Sequence, residues 1–166
     1  ETASELAGQR LLQELVDGSS DIRPEAAEAL GRLGHKSSID SLINALEDGD
    51  TRVRISAIRG LSELGGPDVQ ELLFWHLSEE FDPITFPTLI DVLGQLGDHR
   101  IVKHTLRRLP EFPSGAIQLR LLNSVCRALG AGGLFYQLMA FDDTRRISDI
   151  SRILQRTTTV LSGSES

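Results

Sequence analysis

The sequence predicts an all-α protein, a solenoid of about five helix pairs, and three observations carry this. A Leu-Gly pair recurs at Leu33-Gly34, Leu64-Gly65, Leu96-Gly97 and Leu129-Gly130, at spacings of 31, 32 and 33 residues. Each pair closes a segment whose apolar residues recur at i, i+3, i+4 and i+7, the spacing of one helical face. No segment alternates strictly as a half-buried strand would, and Gly and Pro mark helix ends rather than middles. A repeat of this period implies stacked supersecondary units, each burying its apolar face against its neighbours.

Taken in order, the first helix carries Leu11, Leu12, Leu15 and Val16 and stops at Asp17-Gly18. The second carries Arg23, Ala26, Ala27, Leu30 and Leu33 at this spacing. Ile39, Leu42, Ile43 and Leu46 make the third, ending at Asp48-Gly49, and Val53, Ala57, Ile58, Leu61 and Leu64 the fourth. Val69, Leu72, Leu73, Phe74 and Leu77 form the fifth, with Pro67 suited to its first turn. Leu89, Ile90, Leu93 and Leu96 form the sixth. Pro83 and Pro87 favour a late start there, with residues 81–86 as a loop. Ile101, Val102, Thr105, Leu106 and Leu109 form the seventh, stopped by Pro110, and Leu119, Leu122, Cys126 and Leu129 the eighth. Asp21, Ser38 and either Asp50 or Thr51 suit helix N-caps, and the closing glycines suit left-handed C-caps. Leu134, Phe135, Leu138, Met139 and Phe141, then Ile147, Ile150, Ile153 and Leu154, read as a degraded fifth pair without a closing Leu-Gly. The expected units are 3–34, 36–65, 67–97, 99–130 and 132–156, a repeat domain over 1–156 with a Ser/Thr-rich tail or linker at 157–166.

A chain of 166 residues buries roughly 70% of its unfolded surface, so no disulfide or metal is needed to hold it. No apolar run approaches the roughly 18 residues that span a bilayer. One cysteine, Cys126, gives no internal disulfide framework, and its core position reads as a buried small hydrophobe in a cytoplasmic protein. A first residue of Glu1 rather than Met suggests processing or an excised segment of a longer chain. The net charge of −7 hides an asymmetry. Residues 1–98 hold 19 acidic against 7 basic residues, and residues 99–166 hold 5 against 10. Such a dipolar chain can steer a partner or stack on itself, and solvated faces explain the same pattern.

The strings IRPEAAEALGRLG over 22–34 and DTRVRISAIRGLSELG over 50–65 resemble the second helix of a HEAT repeat, most closely the short bacterial PBS-lyase HEAT-like variety. The resemblance is strong over 9–77, fair over 83–130 and weak after 131. It implies a right-handed α-solenoid whose second helices line a concave surface. It also implies that an acidic residue and an arginine at the start of those helices tie neighbouring repeats, matched by Asp50 with Arg54 and roughly by Asp21 with Arg23. Phe86 and Leu119 stand at the arginine position later, so the ladder is expected to break there. The break coincides with the charge switch near residue 98.

No nucleophile elbow, phosphate loop or paired catalytic motif is present, and the sequence predicts a non-enzymatic protein without cofactor or metal. His35, His76, His99 and His104 lack converging partners and read as ordinary surface histidines. Arg100, Lys103, Arg107, Arg108, Arg120 and Arg127 cluster, but the chain is acidic and no aromatics are interleaved. They read as a solvated face or a patch for an acidic protein rather than a nucleic-acid site.

Alignment on the closing glycines sets Glu28 and Arg32 beside Arg59 and Glu63, then Asp91 and Gln95, then Ser124 and Ala128, with Arg127 at the edge. This polar row is either a solvated face or a groove that grips a protein segment. Trp75 aligns with Asn44, an outward position, and is the second binding candidate. The expectation for it is packing beneath the loop through Phe81, with the indole N–H bonded locally. The function predicted is a protein–protein interaction scaffold or regulatory module. A phycobilin lyase-like or chaperone role, implied by the resemblance, and self-assembly stand as alternatives.

Overall fold

The computed structural model describes residues 2–80, 82–113, 115–131, 133, 152–154 and 156. Among these, all regular structure is helical. The helices are α1 (Ala3–Asp17), α2 (Ile22–Leu33), α3 (Ile39–Ala45), α4 (Thr51–Leu64), α5 (Pro67–Glu79), α6 (Phe86–Gln95), α7 (Ile101–Arg108) and α8 (Gly115–Ala128). Short 3₁₀ turns at Lys36–Ser38 and Leu109–Glu111 adjoin α3 and α7.

Local chemistry sets the ends. Thr2 and Glu5 close a reciprocal capping box at the start of α1: the Thr2 hydroxyl accepts from the Glu5 N–H, and the Glu5 carboxylate from the Thr2 N–H. Gly34, Gly65, Gly97 and Gly130 all have positive φ, between 64° and 76°, as helix-closing glycines should. Pro67 begins α5, and Pro87 lies in the first turn of α6, so that helix does start late.

The expected N-caps fare unevenly. Asp50 is a true cap, accepting from the Arg52 N–H at 2.9 Å, and Thr51 is the first helical residue. Asp21 makes no side-chain cap bond, because its carboxylate is turned to Arg52. Ser38 makes none either: it sits in the 3₁₀ turn and its hydroxyl donates to the His35 carbonyl at 2.6 Å.

The chain divides into two compact units, Glu1–Val92 and Leu93–Ser166. In the first, α2 packs on α1 and α4, α3 on α4, and α4 on α5. Its core includes Leu30, Leu42, Val53, Ile58, Leu61, Leu73 and Leu89, all fully buried. In the second, α7 packs on α8, around Leu93, Ile101, Leu121, Leu122, Val125 and Cys126. The expected fifth pair at 132–156 lies largely outside the described residues, and the tail at 157–166 entirely so.

Candidate functional site

The first unit's helices stack closely enough to bring surface side chains of α2 and α4 within reach of one another. A β-carbon on Gly31 of α2 would lie 2.5 Å from the Gly60 α-carbon of α4, so the two helices touch backbone to backbone. This approach lets the Arg59 guanidinium reach the Glu28 carboxylate at 3.3 Å, while Arg32, one turn along α2, approaches its other oxygen at 3.7 Å. Glu28, Arg32 and Arg59 are thus brought together, and Glu63 is exposed on the same helix as Arg59.

The rest of the expected row divides. Asp91 is half-buried in the first unit, while Gln95 and Arg127 are exposed in the second. Ser124, expected on the solvent side, is fully buried. A β-carbon on Gly94 would lie 2.7 Å from the Ser124 carbonyl oxygen, so this small residue fills a close helix contact instead.

Arg23 and Arg54, the arginines that the resemblance implied as ties between neighbouring repeats, each reach a carboxylate of the next helix hairpin. Arg54 donates to the Asp48 carbonyl at 2.8 Å, to the Thr51 hydroxyl at 2.9 Å and to the carboxylate of Asp82, 28 residues on. Arg23 likewise donates to the Leu15 carbonyl at 3.1 Å and to the Asp48 carboxylate. Each arginine therefore ties its own helix hairpin to the loop of the next one. Asp50 and Asp21 instead share Arg52, at 2.9 and 3.0 Å. The Arg52 guanidinium, then its backbone N–H, hold the Asp50 carboxyl below its usual pKa. At the next arginine position stands buried Phe86.

Trp75 is 65% exposed and does not pack beneath the loop. Leu73 and Leu77 set the buried face of α5, and Trp75 is two residues from each, about 200° around the helix. It rims a groove of about 310 Å³ floored by Ile43, Leu46 and Leu72.

Next to it, His76 is only 7% exposed and is not a surface histidine. Its Nδ1 lies 3.6 Å from Glu47 and its Nε2 3.6 Å from Glu80. Its seven-residue spacing from Val69, on the apolar face, was the signal for burial. His35 is half-buried, its ring against Gly8 of α1. His99 is exposed in a turn. Burial, then the Arg107 and Lys103 cations, lower the pKa of His104.

The expected basic face also breaks up. Arg100 pairs with Asp98 at 2.7 Å. Arg108 is 8% exposed, donates to Glu111 at 2.8 Å and lies 6.0 Å from the Phe112 ring centroid. Lys103, Arg107 and Arg120 remain exposed. Among the described residues no group of three or more His, Cys, Asp or Glu is placed to hold a metal ion. No helix among them is long and apolar enough to cross a membrane.

Residues 8–85 match the family model of HEAT repeats, a stretch that runs from α1 to the loop before α6. No curated protein matches the chain. HEAT repeats generally mediate protein–protein interaction, on a fold that is typically a non-enzymatic scaffold.

Proposed function

We propose that this chain is a non-enzymatic protein–protein interaction module, a scaffold or regulatory segment of a larger bacterial protein or complex. Its units continue beyond the matched stretch as a right-handed solenoid of about five pairs over 1–156. A cytoplasmic setting belongs to this reading, in keeping with a single, unpaired and buried thiol.

The observation that carries the reading is the mixed-charge row on α2 and α4. Glu28 sits between Arg32 and Arg59, on helices whose backbones touch, and Glu63 continues the row. A contiguous row of mixed charge offers complementary positions to the charged groups of a partner. Asp91 on the first unit, and Gln95 and Arg127 on the second, are proposed separately as further partner contacts.

The test is capture of partners from a lysate of the source organism, then titration of the purified partner. Wild type is compared with Arg59→Glu combined with Glu63→Arg. Both sites are exposed, so the fold is retained, and partner affinity is expected to fall at least tenfold. Equal recovery of every partner removes the row. A bilin spectral shift without protein capture moves the reading to a chromophore lyase, and mass growing with concentration moves it to self-assembly.

A further inference from the structure

We infer that the cleft between α3 and α5 docks a short basic segment of a protein partner, an arginine or lysine beside an apolar residue. This rests on the interaction-module reading and names the chemistry of one of its ligands.

The cleft has two adjoining halves that share Leu46, Glu47 and His76. The first is the apolar groove of about 310 Å³ under Trp75. The second, also about 310 Å³, is lined by carboxylates, among them Glu79 and Glu80. Asp48 and Asp82 border it too, but they are matched by Arg23 and Arg54. Glu47, with a side chain 79% exposed, and exposed Glu79 are left to set the local field as negative.

His76 points independently to a ligand. It is more than nine-tenths buried, lines both halves, and its Nε2 has no hydrogen-bond partner. Both nitrogens lie 3.6 Å from a carboxylate oxygen, beyond hydrogen-bond reach, so the ring and the exposed Glu47 carboxylate stand beside each other without a hydrogen bond that joins them. A guanidinium or ammonium seated in the cleft supplies N–H donors to Glu47 and Glu79.

The chemistry excludes other occupants. A phosphate-bearing ligand is repelled by the carboxylates. A bare cation leaves the Ile43, Leu72 and Trp75 surface unused. An apolar residue next to the cation covers that surface, and the Trp75 ring face also attracts a guanidinium.

Trp75 is the single tryptophan of the chain, so its emission reports the cleft directly. The probe is a pool of blocked hexapeptides with a fixed Arg-Leu or Leu-Arg centre and randomised flanks. The control pool carries citrulline for arginine. The arginine pool is expected to give a saturable blue shift of the 166-residue chain, weakened by salt and at least tenfold weaker with citrulline. Glu47→Gln combined with Glu79→Gln, both exposed, is expected to weaken it tenfold with an unchanged circular dichroism spectrum.

No shift at millimolar peptide, or an equal shift with citrulline, overturns the inference. So does a blue shift that grows with protein concentration alone as the mass doubles, since the occupant is then a second copy. A flat titration while the Arg59 and Glu63 variant still loses its partner removes the cleft and leaves the row. A variant that keeps its partner while the peptides bind does the reverse.

Discussion

Gly31 and Gly60 meet backbone to backbone across α2 and α4. A β-carbon on either would lie 2.5 Å from a main-chain atom of the facing helix: the Gly60 α-carbon and oxygen in one case, the Ala27 oxygen in the other. Main chain has no rotamer by which to yield. Arg59 precedes Gly60 in α4 and reaches Glu28 of α2, so the close spacing at the two glycines also brings this pair within reach.

Gly60→Ala therefore weighs two opposing effects. Alanine favours a helix interior by about 1 kcal/mol over glycine. Overpacking typically costs about 1–3 kcal/mol, and a clash with backbone belongs at the upper end. The expected net is a loss of about 2 kcal/mol in urea unfolding. Gly49→Ala, where an added β-carbon meets nothing within 4 Å, is expected to stay within about 0.5 kcal/mol of wild type. Equal stability of the two variants would refute the backbone contact.

Arg54 and Arg52 look alike in sequence but differ in the fold. The Arg54 side chain is 17% exposed and binds Asp82 as well as the Asp48 carbonyl and Thr51. Its truncation leaves part-buried acceptors unmatched, for a loss of about 3 kcal/mol. Arg52 makes two ion pairs, but its side chain is 58% exposed. Solvent screens such pairs, and Arg52→Ala is expected to unfold with wild type. Chemical denaturation of both variants checks the order.

Asp82 also predicts a pH dependence. Burial works against its charge, but hydrogen bonds from the Ile84 N–H, the Thr85 hydroxyl and Arg54 outweigh it, and the pKa is held below the usual 3.8. A depressed carboxylate stabilises the fold above its unfolded pKa and loses that contribution as pH falls through its folded pKa. Stability is expected to drop below about pH 4, and Asp82→Asn to flatten this part of the curve at the expense of stability at neutral pH. Thermal midpoints between pH 2 and 7 provide the comparison, and an unchanged acid limb in the variant would remove Asp82 as its source.

The helix order was legible because glycine and proline mark the ends and 3.6-residue spacing marks the faces. The four closing glycines adopt the positive φ expected of them. What stayed hidden depended on tertiary approach. Ser124 has the same offset from its closing glycine as Arg59, yet it is buried, because Gly94 admits the facing backbone. The partner of Arg54 lies 28 residues away in a loop, and no local spacing announces it. His76 lay on a readable apolar face, but only the fold brings Glu47 and Glu80 to its two nitrogens. The row itself was half legible: helical register put Glu28, Arg32 and Arg59 on one side, and the Gly31–Gly60 contact joined them.

Cys126 gives a chemical readout of the second unit. It is fully buried on α8, and burial pushes its thiol pKa up to about 11. At pH 8 only about one thiol in a thousand would then be thiolate, the form that attacks a disulfide reagent. Burial also removes reagent access, so reaction must wait for local or global opening. Labelling of the native chain is expected to be slow and to reach a rate limit as reagent is raised. In urea it is expected to be fast, with one thiol per chain. Complete labelling of the folded chain within seconds would show that α8 does not hold Cys126 in the core.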